Sequence, residues 1–214
     1  MKVSLKILES NKQISLMIGK ALQNQVDKFM SNSLKIIEKG LPDILTRAIE
    51  TSPEYYAILS GDLKYELGIP NSASVLQGLI NTWTRGVVTS YSPVVILSSG
   101  QIKTSFSVSM VRADFSDVLS TSYAFVYDYK RGYALPWLKW LLLDGTMPIV
   151  NGYEVEFGPN PRSRTGMAIM VETTGKAWNV PANYAGNAND NWITRAIRSS
   201  ERDIEKFIQK VLQK

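Results

Sequence analysis

Hydrophobic periodicity changes twice along this chain, and no other feature limits its folds more. From Asn11 the apolar residues Ile14, Ile18, Leu22, Val26, Phe29, Ile36 and Ile37 recur at helical spacing, with Lys, Gln and Asn between them. Ile102, Thr104, Phe106, Val108 and Met110 then alternate strictly with Lys103, Ser105, Ser107 and Ser109, the period of a strand with one buried face. Helical spacing returns after Asp190 in Trp192, Ile193, Ala196, Ile197, Ile204, Phe207, Ile208, Val211 and Leu212. Helices at both ends and strands between them predict an α+β fold, a mainly antiparallel β-sheet packed with long N-terminal helices and a C-terminal helix. The 214 residues suit a single domain, 1–214, with a helical region 1–61 able to extend as an arm, a sheet region 87–172 and a C-terminal helix 190–214.

Local signals refine this outline. Val3, Leu5 and Ile7 alternate with Ser4 and Lys6, the pattern of a short opening strand or extended arm. The stripe that follows would span about 35 Å at ~1.5 Å per helical residue. Gly40 reads as a helix stop and Pro42 as the first turn of a second helix ending near Glu50. Ser52-Pro53-Glu54 reads as cap, first-turn proline and acidic first turn of a helix ending at Leu59. Val75, Leu76, Leu79, Ile80 and Trp83 predict another helix. Strands are expected at Val94–Leu97 and Ser122–Tyr129, an apolar helix at Ala134–Leu143, and a hairpin pairing Tyr153–Phe157 with Gly166–Glu172. Asp190 is the expected cap of the last helix.

Two absences narrow the chemistry. The chain has no cysteine and no histidine. Thiolate nucleophiles, disulfides, zinc ribbons, Ser–His–Asp triads and His-based metal sites are therefore excluded. Neither S-x-x-K, G-x-G-x-x-G nor a P-loop occurs. Glu154 and Glu156 could suggest acid–base work or a divalent cation, but they read better as a solvated strand face. Asp114 and Asp117 look like loop chemistry, and Thr173 to Lys176 like a turn. No enzyme, catalytic residue, cofactor or metal site is expected.

The balance of 24 Lys+Arg against 19 Asp+Glu leaves a net charge of +5, spread along the chain. That suits attraction to an acidic partner better than a dense nucleic-acid footprint. Trp137 to Leu143, the longest apolar run, is interrupted by Lys139 and too short to span a membrane. A soluble protein made in a reducing cytoplasm is expected. Arg162 and Arg164 in the turn Gly158–Gly166, and Lys130 and Arg131 between Tyr129 and Tyr133, are the basic contact candidates. Trp137, Trp140 and Trp178 are the aromatic ones, since Trp is enriched at protein interfaces.

The order of the motifs carries a resemblance. Ser52-Pro53-Glu54-Tyr55, Ser60-Gly61-Asp62-Leu63-Lys64 and Leu67-Gly68-Ile69 come after the first helices and before the sheet. Trp137 to Leu141 with Asp144-Gly145, then Pro161 to Gly166, then Trp178, Pro181 and Asp190 to Ala196 fill the second half. In this order, from roughly Ile14 to the C-terminus, the chain resembles the neck and tail-completion proteins at the head–tail joint of tailed bacteriophages. The resemblance implies a structural virion protein, assembled in the host cytoplasm into a hexameric or twelve-subunit ring, the hexamer being expected. Such a ring would surround the DNA channel and join the portal or connector to the tail terminator or tube. It implies no cofactor and no catalytic residue. Arg162, Arg164, Lys130 and Arg131 would then face an acidic neighbour or the channel DNA. Two other classes compete with it, a basic nucleic-acid-binding module using those four residues and a hydrolase built on Glu154 and Glu156.

Overall fold

A computed structural model describes residues 9–109, 112, 114–128 and 132–213. The fold is α+β, as the change of period predicts. The opening strand expected at Val3–Ile7 lies outside the described residues, as do Lys130 and Arg131. Two compact units share the chain, one taking residues 1–40, 88–109 and 206–214, the other 41–87 and 110–205.

The first unit contains residues 11–40 of helix α1 (Asn11–Glu50), strands β1 (Val88–Ile96) and β2 (Ile102–Ser109), and the end of helix α8 (Glu201–Leu212). α1 is one continuous helix that carries Pro42 inside it, so the expected break at Gly40 does not occur. Gly40 serves close approach instead. A Cβ there would run into the tip of the Phe207 ring on α8, so hydrogen is the side chain that lets this aromatic approach the helix end-on.

β1 and β2 form an antiparallel hairpin in register from Val88 opposite Ser109 to Ile96 opposite Ile102, with a bulge between Ser92 and Val95. Pro93 lies in that bulge, where a residue without an N–H is tolerated. The backbone of the neighbouring Val94 turns to α1 for partners. Its N–H donates to Asp27 Oδ1 at 3.1 Å, and its carbonyl accepts from Gln23 Nε2 at 3.0 Å. Two polar positions of a helix thus complete the ladder that the bulge interrupts.

The second unit holds the larger core. It comprises the end of α1, α2 (Pro53–Leu59), α3 (Leu63–Glu66), α4 (Ser72–Arg85), α5 (Ser116–Leu119), strands β3 (Val126–Asp128) and β4 (Tyr133–Leu135), α6 (Trp137–Lys139), strands β5 (Val150–Phe157) and β6 (Ala168–Trp178), α7 (Trp192–Ser199) and the start of α8. Ile58, Leu63, Leu67, Leu76, Leu79, Trp137, Leu138 and Trp192 are fully buried within it. Each such side chain contributes about 1.5–3 kcal/mol by leaving water. Trp83 and Trp192 meet edge to face, their centroids 5.0 Å apart.

Several elements differ from expectation for reasons visible in the packing. The sheet is divided into three two-stranded antiparallel ribbons, β1–β2, β3–β4 and β5–β6. The strand expected over Ser122–Tyr129 begins as a 3₁₀ turn, Ser122–Ala124, and only Val126–Asp128 is extended. Within that turn the Tyr123 ring packs against α4, in the space a Cβ on Gly78 would fill. The helix expected over Ala134–Leu143 starts later, at Trp137, since Tyr133–Leu135 pairs with β3. It then widens into a π-helical turn, Trp140–Asp144, across which Lys139 reaches Asp144 at 3.2 Å. Asn191, one residue after the expected Asp190, caps α7 through a reciprocal capping box with Thr194. The β5–β6 hairpin forms as expected, with Phe157 opposite Ala168.

Candidate functional site

Ser52 and Glu54 anchor the most heavily bonded polar cluster, at the start of α2. The Ser52 hydroxyl uses its whole bonding capacity. It donates to the Ile49 carbonyl at 2.6 Å, caps α2 by accepting the Tyr55 N–H at 3.3 Å, and accepts the Trp192 indole N–H at 2.7 Å. Glu54, almost fully buried, accepts from Arg195 Nε at 2.8 Å and lies 2.7 Å from Arg195 Nη2. The same guanidinium donates to the Tyr184 and Ala185 carbonyls and to Asp190 Oδ2 at 3.3 Å, while Arg198 reaches Asp190 Oδ1 at 3.4 Å. A buried carboxylate satisfied in this way acts as a clamp between α2 and α7. Beside it, Gly145 donates to the Gly186 carbonyl at 3.2 Å, a backbone crossing that a Cβ on either residue would block.

Glu66 is the carboxyl with the clearest environmental strain. Burial pushes it above the ordinary glutamate range, Trp178 Nε1 donating at 3.2 Å pulls it back in part, and nearby Asp62 raises it further. Asp114 moves the other way. Hydrogen bonds from Ser116 hold it below the ordinary aspartate range.

Arg162 and Arg164 are both exposed on the loop joining β5 to β6. The loop is ordered by its own side chains, with Asn160 Oδ1 accepting the Arg162 N–H at 2.9 Å and Ser163 and Thr165 hydroxyls 3.1 Å apart. The Arg164 guanidinium lies over Gly68, which has a positive φ of 68°. Trp137 and Trp178 are not available to a partner. Trp137 is fully buried and donates to the Tyr123 carbonyl at 2.9 Å, and Trp178 is spent on the core and on Glu66. Trp140 is half-buried and stacks edge-on against Trp178 at 6.1 Å. Trp137 and Trp140 turn inward from a helix whose other side exposes Lys139, and Trp178 joins them from the end of β6.

Glu154 pairs with Lys176 across the β5–β6 ribbon, and Glu156 is exposed opposite Ile169. The two carboxylates do not converge on a common point with a third acidic group. Among the described residues no set of three or more acidic side chains is arranged to hold a metal ion.

Two surfaces were not separable in the sequence. The apolar stripe of α1 is two stripes. Met30, Leu34 and Ile37 are buried, whereas Ile18, Leu22, Phe29 and Ile36 are exposed, Ile18 by 54% and Ile36 by 52%. Leu22, Phe29 and Ile36 recur every seven residues, the one signal that marks them as a set. The second surface is an open recess of about 590 Å³ on α7 and α8, lined by Thr194, Ile197, Arg198, Glu201, Ile204 and Glu205. Comparison with protein-family models, curated proteins and solved structures finds no match.

Proposed function

We propose that this chain is a ring-forming structural subunit of a tailed-phage neck, a tail-completion protein that joins the head connector to the tail around the DNA channel. The observation that supports this best is the exposed apolar row Ile18, Leu22, Phe29 and Ile36 on α1. Four large apolar side chains in line along about 27 Å of helix, at ~1.5 Å per residue, cost solubility unless a partner covers them. The order of the Ser52–Ile69, Trp137–Gly145, Pro161–Gly166 and Asp190–Ala196 motifs supports the neck assignment within that broader reading. No helix among the described residues is long and apolar enough to cross a membrane.

Size-exclusion chromatography with light scattering, native mass spectrometry and negative-stain imaging test the proposal. A closed ring, six subunits expected, supports it. A strictly monomeric protein at assembly concentrations, absent from virions, overturns it.

The exposed pair Arg162 and Arg164 supports a second reading, a nucleic-acid-binding module. DNA affinity that falls with salt and is lost in Arg162→Ala/Arg164→Ala favours it, whereas no binding at low salt excludes it.

A further inference from the structure

Residues 11–40 carry five lysines, Lys12, Lys20, Lys28, Lys35 and Lys39, against Asp27 and Glu38, and all five lysines are exposed. Two of them repeat in step with the apolar row. Lys28 immediately precedes Phe29 and Lys35 immediately precedes Ile36. With Leu22, Phe29 and Ile36 as the core positions of a seven-residue repeat, Lys28 and Lys35 occupy the flanking positions that choose a helical partner by charge. On the other flank lie Gly19, Val26 and Ser33, which turn toward the packed side. The row therefore calls for an apolar surface edged with acidic groups.

The α7–α8 recess has that chemistry. Thr194, Ile197, Arg198, Glu201, Ile204 and Glu205 fall at the three- and four-residue steps of a single helical face, bent where α7 gives way to α8 at Ser200. Ile197 and Ile204 are half-buried and seven residues apart, the spacing of Leu22, Phe29 and Ile36. The one cation of the recess, Arg198, is engaged by Asp190, whereas Glu201 and Glu205 are exposed and form no ion pair among the described residues. Two α1 rows meeting antiparallel would instead bring Lys28 and Lys35 against the same lysines of the other copy.

We infer that the α1 row of one copy of this chain seats in the α7–α8 recess of the next copy, Lys28 and Lys35 facing Glu201 and Glu205. The contact joins two different surfaces, so it is heterologous and propagates from copy to copy until rotation closes a ring. It rests on the assembly proposed above and names the two faces that build it.

The absence of native cysteine makes the test clean. Two single-cysteine variants, Phe29→Cys and Ile204→Cys, are oxidised separately and as a mixture, with circular dichroism verifying the fold of each. A disulfide-linked dimer in the mixture alone is expected. A homodimer of Phe29→Cys by itself overturns the proposal in favour of α1 pairing with α1. No cross-link in the mixture, while the wild-type chain still assembles, overturns it and leaves the ring intact as a reading. A wild-type chain that never assembles overturns both. As an independent readout, Lys28→Glu/Lys35→Glu and Glu201→Lys/Glu205→Lys are each expected to lose assembly on their own, and their combination in one chain to restore it. Wild-type assembly by both charge-reversed proteins overturns the assignment.

Discussion

The Trp192 indole N–H donates to Ser52 Oγ at 2.7 Å, joining residues 140 positions apart in the chain. The same hydroxyl caps α2, so one small side chain both starts a helix and satisfies the indole of a fully buried tryptophan. Ser52→Ala removes the cap and orphans that indole. A loss of about 2–3 kcal/mol is expected in urea or guanidinium unfolding. Ser60→Ala, on an exposed hydroxyl at the other end of α2, should change stability by less than about 0.5 kcal/mol.

Glu54 and Arg195 should behave as a coupled pair. Removing either partner leaves a charge in a largely closed site, so Glu54→Gln and Arg195→Met should each cost about 3 kcal/mol or more. The double variant should cost less than the sum, with a coupling energy of about 1–3 kcal/mol. Additive single costs in equilibrium unfolding would contradict a direct pair.

Gly40→Ala reverses the usual propensity rule. Alanine is favoured over glycine inside a helix by about 1 kcal/mol. Here the new methyl meets the Phe207 ring, and overpacking of this kind costs about 1–3 kcal/mol. Thermal melts should show a lower Tm for Gly40→Ala, with part of the loss recovered in Gly40→Ala/Phe207→Ala.

Glu66 gives stability a specific pH dependence. Its folded pKa is raised, so the native state holds this proton to higher pH than the unfolded state does. Native stability from this group therefore falls as pH rises through the folded pKa, and the penalty is complete above it. Below the ordinary glutamate value both states are protonated and the group is neutral in effect. Glu66→Gln keeps an oxygen to accept from Trp178 and removes the charge. Its Tm relative to wild type should therefore be higher at pH 8 than at pH 3; a constant difference across that range would contradict the assignment.

Much of the fold was legible because period reports burial wherever an element has one buried face. The alternation from Ile102 to Val108 and the helical stripe from Trp192 onward both appear at the residues that carry them. The Ser52 cap was legible too, since capping is local. The Glu54–Arg195 clamp was not, because its partners are 141 residues apart and no local rule links them. The aromatic candidates show the limit most clearly. Trp137 and Trp178 are large and amphipathic in any context, and only packing decides whether such a ring faces a partner or the core.

The amino-acid sequence by itself determined the α+β class, the helical ends with strands between them, and the exclusion of thiol and imidazole chemistry. Each depends on residue identity or on spacing within one element. Tertiary structure decided that α1 runs unbroken past Gly40 and Pro42, that the strands separate into three ribbons, and that Ile18, Leu22, Phe29 and Ile36 remain exposed while Leu34 and Ile37 are covered. A helix with apolar residues around more than half its circumference has two faces to bury, and the neighbours available within one chain cover only one of them.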